Sequence, residues 1–462
     1  MKIDETIRAA DLGGAVARLV ELAAGKTRRL AARWHPADGA PVFTAAEKYT
    51  TRGWTEWTQG FQYGCAILAF EGTGDADLLE IGRRGTLERM GPHVTHTGVH
   101  DHVFNNVSTY GNLRRLMREG RIPRNDWEMA FYELALKASG AVQANRWTNA
   151  LGGQGYIYSF NGPQSLFIDT MRTLRSLGLA HQLGHVLMGE GDRKISLLGR
   201  FVQHGLTTAT CNIFYGTGRD SYDTPGQRGR TAHESIFNGN DGSYRCPSSQ
   251  QGYSPFSTWT RGLAWALLGF AEELEFLAAR PDGEFGVDGL PTKAEVLTTF
   301  RNAAQATADF YLLRAAATDG MCYWDTGAPG LARMGDYLAR PAEPFNDHEP
   351  VDASAAAIAA QGLLRLGRYV AQTGDAANGQ RYTQAGLTIA RTLLAEPYLS
   401  IDAGHEGLLL HSIYHRPNGW DYVPAGRKIP CGESSMWGDY HLLELGLLVA
   451  RMAKGNWVTF FD

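Results

Sequence analysis

Apolar residues return every three or four positions along most of this chain, a period that predicts helices and little else. Residues 4–34 carry Ile7, Ala10, Leu12, Ala15 and Leu19 at that spacing. The same pattern marks 58–71 and 75–90, divided by Gly72-Thr-Gly74, and then 102–118, 125–145 and 165–178. Gly178 and the charged Glu190-Gly-Asp192 loop bracket 180–188 and 193–207. Segments at 256–279, 292–317, 351–367, 377–394 and 435–454 bring the total to about a dozen. Strand patterns are confined to Cys322–Trp324 and Leu408–Tyr414, and without β–α–β alternation no parallel sheet is expected.

Four long connections, 145–164, 208–255, 318–350 and 396–434, interrupt the helices and are rich in Gly, Asp, Tyr and Trp. Loops of such length are uncommon and often functional. No linker divides the chain, and no repeat at a fixed period supports a helical solenoid. The expectation is an all-α fold in one domain over residues 1–462, with paired helices closing into a double-layered toroid. Its long loops would gather at one end and form a cleft.

Composition narrows the function classes. The net charge of −4 and the scatter of Lys and Arg leave no basic face for nucleic acid. Five cysteines, Cys65, Cys211, Cys246, Cys322 and Cys431, stand far apart with no CxxC pair. That argues against a disulfide framework or a zinc site and fits a reducing compartment. The first residues, MKIDETIRAADLGG, lack the apolar core of a secretion signal, and no run nears the roughly 18–20 apolar residues that span a membrane. A cytoplasmic protein without membrane contact is expected. The 55 glycines and eleven tryptophans change the picture more. Glycine-rich loops and flat aromatic rings suit a sugar cleft, although most aromatics in a chain this long fill the core.

Candidate chemistry clusters where loops run into helices. In SLFIDTMRTLRSL (165–177), Pro163 precedes helical spacing of Phe167, Met171, Leu174 and Leu177, which puts Asp169 in a first turn. It either complements the helix dipole or is tuned by its apolar neighbours. In HDHVF (100–104), Asp101 lies between His100 and His102, as a cap or as a second tuned carboxylate. His93, His96, His100 and His102 have no acid-rich partner motif at ligand spacing, so no metal is expected. In QQGYSPFSTWTRGLAW (250–265), Arg261 and Trp265 share a helix face beside Trp259. Arg261 there serves a buried ion pair or binds a carboxylate. Trp54 and Trp57 mark another aromatic junction, and Pro350 with Asp352 reads as a capped helix start. His415-Arg-Pro-Asn-Gly419 and then Glu433–Asp439, with Ser434, form the last junction. In a closed toroid, junctions at the same end converge, and convergence favours a functional role for Asp169 and Asp101.

Six pieces then carry a resemblance: WTQGF (57–61), HDHVF (100–104), FIDTMRTL (167–174), QGYSPFSTWTRGLAW (251–265), DASAAAIAAQGLL (352–364) and SSMWGDYHLLE (434–444). Their order over about residues 50–455 resembles the unsaturated glucuronyl hydrolases, glycoside hydrolase family 88, with the unsaturated rhamnogalacturonyl hydrolases of family 105 as neighbours. The resemblance implies an (α/α)6 barrel without a cofactor. It implies removal of a 4,5-unsaturated uronic acid from the non-reducing end of small oligosaccharides left by polysaccharide lyases. An acid protonates C4 of the vinyl ether, water adds at C5, and the hemiketal opens. By the same resemblance Asp169 is the general acid and base, and Asp101 is the second essential carboxylate.

A proton donor to carbon has to be protonated near neutral pH, and apolar Leu166–Ile168 with anionic Asp101 would raise the Asp169 pKa. His100 would tune Asp101. Arg261 would meet the uronate carboxylate in a pocket shaped by Gln251, Trp57, Trp259, Trp265 and Ser434. The chain departs from the family pattern at HDHVF, where HDxGF is usual. Gln250 stands where His usually precedes QGYS, Arg245 where a His tends to follow the DGS-type turn, and Phe160 where the platform is typically Trp. These three are expected to set substrate choice. Rival readings are an inverting glycosidase on saturated sugars, an epimerase using His100, His102, His204 or His233, and a non-catalytic carbohydrate-binding barrel.

Overall fold

A computed structural model describes residues 1–53 and 56–459. Trp54 and Thr55, from the first aromatic junction, lie outside the described residues. In chain order the helices are α1 (Gly13–Arg33), α2 (Gln59–Thr73), α3 (Ala76–Arg89), the single turn α4 (Gly91–Val94), α5 (Asn112–Arg118), α6 (Asp126–Asn145) and α7 (Thr170–Thr173). They continue with α8 (Arg175–Gln182), α9 (Leu197–Cys211), α10 (Thr260–Ala278), α11 (Lys293–Phe310), α12 (Ala353–Gln372), α13 (Ala376–Leu393) and α14 (Met436–Ala453). A π-helical segment, Val103–Gly111, leads into α5.

Packing closes an inner ring that runs α2, the π segment with α5, α7 with α8, α10, α12, α14 and back to α2. Helices α1, α3, α6, α9, α11 and α13 lie outside it. This is the expected (α/α)6 barrel. Burial explains the layering. Every residue of α12 from Ala353 to Gly367 is buried, as an inner helix requires. Outer α1 instead buries one stripe, with Val16, Leu19, Val20, Ala23, Ala24 and Leu30. Caps set where the helices begin: Asn125 accepts from the backbone of Trp127 and Glu128 at α6, and Thr292 with Glu295 forms a capping box at α11.

The segments between helices carry short strands that the helical pattern does not predict. Antiparallel pairs form between β1 (Phe43–Ala45) and β2 (Lys48–Thr50), and between β3 (Trp147–Asn149) and β4 (Gly155–Ile157). Strand β5 (Ser165–Phe167) joins a three-stranded sheet, and β6 (Leu187–Met188) pairs with β7 (Lys194–Ile195). The other strands of that sheet are β8 (Glu234–Phe237) and β9 (Tyr244–Ser248), in the order β5-β8-β9. The expected strands at Cys322–Trp324 and Leu408–Tyr414 form only isolated bridges, such as Tyr323 with Val351 and Leu410 with Ser434. The five cysteines are free. Among the described residues no helix is long and apolar enough to cross a membrane.

Candidate active site

The helix expected over 165–178 is a strand, a turn and two short helices. Leu166, Phe167 and Ile168 are fully buried, with Phe167 opposite Glu234 in the β5–β8 ladder. The Ile168 N–H donates to the His233 carbonyl at 2.9 Å, and the chain then turns into α7 at Asp169. Helix α10 backs this turn closely. A Cβ on Gly269 would lie 2.7 Å from the Met171 carbonyl carbon, so only glycine permits the approach. Asp101 is placed by the π segment that follows it, a distortion often found at functional sites. Gly60 of α2 lets that segment come in: a Cβ there would lie 2.3 Å from Asn105 Cα, and the Gly60 N–H donates to Asn105 Oδ1 at 2.8 Å. Neither aspartate caps a helix with its side chain.

The two carboxylates meet on one imidazole. His100 Nε2 stands 3.4 Å from Asp169 Oδ1 and 3.7 Å from Asp101 Oδ1. All three side chains are buried, yet neither ring nitrogen of His100 nor Asp169 Oδ1 has a hydrogen bond within the protein. Nε2 and Oδ1 face each other as an ion pair, but His100 Nδ1 has no partner, and a buried polar atom left so costs about 1–3 kcal/mol, which marks a place built for something other than stability. Burial pushes Asp101 up to about 6, with Asp169 adding to the rise and His100 opposing it. Burial would raise Asp169 as well, but the His100 ring outweighs it, and Asp169 lies below the usual carboxylate range. Burial pulls His100 down, and the two aspartates more than reverse this. The apolar lead-in of the sequence predicts the raised carboxyl at Asp169. In the free protein it is Asp101, because His100 lies closer to Asp169 and favours its charged form.

Ten candidates from the sequence line a cavity of about 70 Å3: Asp169, Asp101, His100, Arg261, Gln251, Gln250, Trp57, Trp259, Trp265 and Phe160. Phe160 stacks on the His100 ring with centroids 6.1 Å apart. His415, from the last junction, also lines the cavity, together with Tyr414 and Trp420, which the junction motifs do not include. The signal was the aromatic and imidazole groups flanking the His415–Gly419 turn. His233 does not line the cavity; its ring is edge-on to Trp259 and accepts from the Gln250 N–H at 3.0 Å. Burial holds it near 4, hence neutral. His102 bonds Ser139 and the His96 carbonyl, and His204 accepts from the Ile157 N–H, so neither serves as an acid–base pair for epimerisation.

Three expectations are corrected. Arg261 forms the buried ion pair, with Asp352 at 3.3 Å, and also donates to the carbonyls of Ile413 and Tyr414. Its guanidinium lies 4.6 Å from the Trp259 ring centroid and 4.9 Å from that of Trp437. Ser434 is turned into the core, where its one hydroxyl hydrogen lies between Asp439 Oδ1 at 2.7 Å and the Leu409 carbonyl oxygen at 2.6 Å. Arg245 is exposed on β9 and does not line the cavity.

Among the described residues, His100, Asp101 and Asp169 are also the one group of imidazole and carboxylate atoms close enough to hold a cation. With the same Nε2 facing both carboxylates at ion-pair distance, a proton on His100 meets the same electrostatic demand. A larger cavity of about 280 Å3 between α1, α2 and α3 has no such group. There Lys26 is spent on Ser400 and the carbonyls of Asp402 and His405.

No family model matches the chain. An unsaturated glucuronyl hydrolase from Bacillus sp. (strain GL1) is 26% identical over 424 residues, 90% of this chain and 92% of that protein. An unsaturated chondroitin disaccharide hydrolase from Streptococcus agalactiae serotype III is 24% identical over 84% of this chain and 80% of its own length. The chain resembles the unsaturated glucuronyl hydrolases along nearly its whole length. Its fold is shared by a crystal structure of an unsaturated glucuronyl hydrolase specific for heparin, with TM-score 0.71 and 21% identity over 96% of this chain and 98% of that one. The motif resemblance and the barrel therefore agree with relatives matched over the full architecture.

Proposed function

We propose that this protein is a glycoside hydrolase that removes a 4,5-unsaturated uronic acid from the non-reducing end of a small oligosaccharide, by hydrating the C4=C5 vinyl ether. The observation that carries this reading is the buried His100–Asp101–Asp169 trio, with unbonded polar atoms facing an aromatic cavity. Residues 1–462 act as one catalytic barrel, since the inner ring closes only when α14 meets α2.

In this mechanism Asp169 gives its proton to C4, leaving an oxocarbenium ion at C5. Water adds at C5 and returns a proton to the Asp169 carboxylate. The hemiketal opens to a ketone, and the hemiacetal left at C1 releases the remaining sugar. Asp101 and His100 hold the proton reserve and position the water. The free protein keeps Asp169 charged, so the substrate has a part to play. A uronate carboxylate entering the cavity adds a third anion, which raises the proton affinity of the carboxyl pair. Gln251 is the group that meets this carboxylate, because the Nη hydrogens of Arg261 are engaged elsewhere. Trp57, Trp259 and Trp265 supply flat apolar walls for the sugar ring.

Unsaturated disaccharides from chondroitin and heparin are the first substrates to try, because similar proteins are a chondroitin disaccharide hydrolase and a glucuronyl hydrolase specific for heparin. Loss of the double-bond absorbance in the near ultraviolet supports the reading. Turnover of a saturated glycoside with no loss on any unsaturated disaccharide, rhamnogalacturonan products included, overturns it. Dialysis against EDTA is expected to leave the rate unchanged, since the protein's own groups supply the proton.

A further inference from the structure

Resting on that reading, we propose that Asp352 is a positioning residue for substrate recognition: through Arg261 it fixes the Gln251 side chain with its amide N–H groups toward the cavity. The chain of contacts is continuous. Asp352 is fully buried at the start of α12, where Oδ1 accepts from the Ser354 N–H at 3.1 Å and the Ser354 hydroxyl at 2.6 Å. Its other oxygen, Oδ2, takes Arg261 Nη1 at 3.3 Å. The second hydrogen on Nη1 goes to the Ile413 carbonyl. Nη2 donates to the Tyr414 carbonyl at 2.8 Å and to Gln251 Oε1 at 3.0 Å. Both Nη groups are thereby committed.

Arginine only donates, so the side of the Gln251 amide that faces it has to be the carbonyl oxygen. The amide nitrogen, with two hydrogens, is left for the cavity that Gln251 lines. A donor there suits an oxygen-rich anion and disfavours a cationic or donor group. The flip is set by charge located two residues away in the contact chain, and the rings of Trp259 and Trp437 stop the guanidinium from swinging out to bind substrate itself. Asp352 thus acts on recognition without touching the sugar.

Steady-state kinetics of the full chain on an unsaturated chondroitin disaccharide test this. Asp352→Asn keeps a capping oxygen for α12 but removes the charge that seats Arg261. It is expected to raise KM about tenfold while kcat changes less than about twofold. In a Gln251→Ala background the same change should add nothing, because both act through one amide. A merely structural role would lower the folded, active fraction and hence kcat, with KM unchanged. With wild-type turnover present, that outcome, or KM effects that multiply in the double variant, overturns the relay and leaves the hydrolase reading standing. Should Asp352→Asn fail to fold, Gln251→Glu at this partly exposed residue decides the orientation. One carboxylate oxygen would pair with Arg261 and the other would repel the uronate, so KM should exceed that of Gln251→Ala. A KM for Glu no higher than for Ala overturns the proposal.

Discussion

Two pairs of buried aspartates stand near the starts of inner helices at the loop end of the barrel, and they are used in opposite ways. On one side, Asp352 caps α12 and pairs with Arg261. Asp439, in the first turn of α14, accepts from Tyr49, Ser434 and the backbone of Leu408 and Leu409, all between 2.7 and 2.8 Å. On the other side, Asp101 and Asp169 cap nothing and share one imidazole. Depth of burial does not separate the pairs, since Asp439 is 6% exposed and Asp101 and Asp169 are each 8% exposed. A raised pKa does not separate them either: burial pushes both Asp439 and Asp101 upward. What differs is whether the oxygens are spent. A saturated carboxylate holds loops and helices in place, and an unsaturated one can move a proton.

The contrast is broken most sharply at Asp169. Asp169→Asn keeps the shape and removes the acid, so kcat/KM on an unsaturated disaccharide should fall by about four orders of magnitude, with unchanged helical circular dichroism. Retained turnover would move the proton donor elsewhere in the cavity. The opposite pair should fail in the opposite manner. Asp439→Ala strands the donors of Tyr49, Ser434, Leu408 and Leu409, and urea unfolding should show a loss of about 3–5 kcal/mol. Turnover per folded molecule should stay near that of the parent protein. If activity fell with stability intact, the division between spent and unspent carboxylates would not hold.

Much of this was legible in the chain because the information is local. Helical spacing and caps gave the barrel, and the loop-to-helix junctions carrying Asp101, Asp169, Trp57 and Gln251 do converge. What stayed hidden depends on distant partners. Ser165–Phe167 reads as the start of a helix until Glu234–Phe237, some seventy residues on, arrives to pair with it. Arg261 looks equally suited to a ligand or an ion pair, and the decision is made by Asp352, Ile413 and Tyr414. The apolar lead-in to Asp169 does push its pKa up, as expected, but the sequence does not show that His100 comes within 3.4 Å and reverses the sign. Arg245 follows a turn in the sequence, and only the folded chain shows that it is exposed outside the cavity.

The unspent pair should also announce itself in the pH profile. Because kcat/KM reports the free enzyme, the proton reserve held at about 6 on Asp101 predicts a plateau below that pH. Above it the rate should decline by about tenfold per pH unit. Asp101→Asn should displace this limb, whereas a profile unaffected by the substitution would take Asp101 out of the proton reserve.

The smallest effect is on stability, and its sign is fixed by the direction of the Asp101 shift. Its folded value of about 6 lies above the ordinary carboxylate value of 3.8, so the folded state holds this proton more tightly than the unfolded chain does. Stability is therefore full below about pH 4, falls as pH rises toward 6, and stays lower above it. Asn mimics the protonated form at every pH. Asp101→Asn should then leave the unfolding free energy nearly unchanged near pH 4 and raise it by about 2–3 kcal/mol at pH 7.5, the size of the shift with the His100 attraction already included. Urea unfolding at the two pH values gives the comparison. The same substitution at a spent carboxylate, Asp439→Asn, should destabilise at both, since there the oxygens hold four donors rather than a proton. Equal behaviour of the two variants would mean that the trio is an ordinary structural cluster after all.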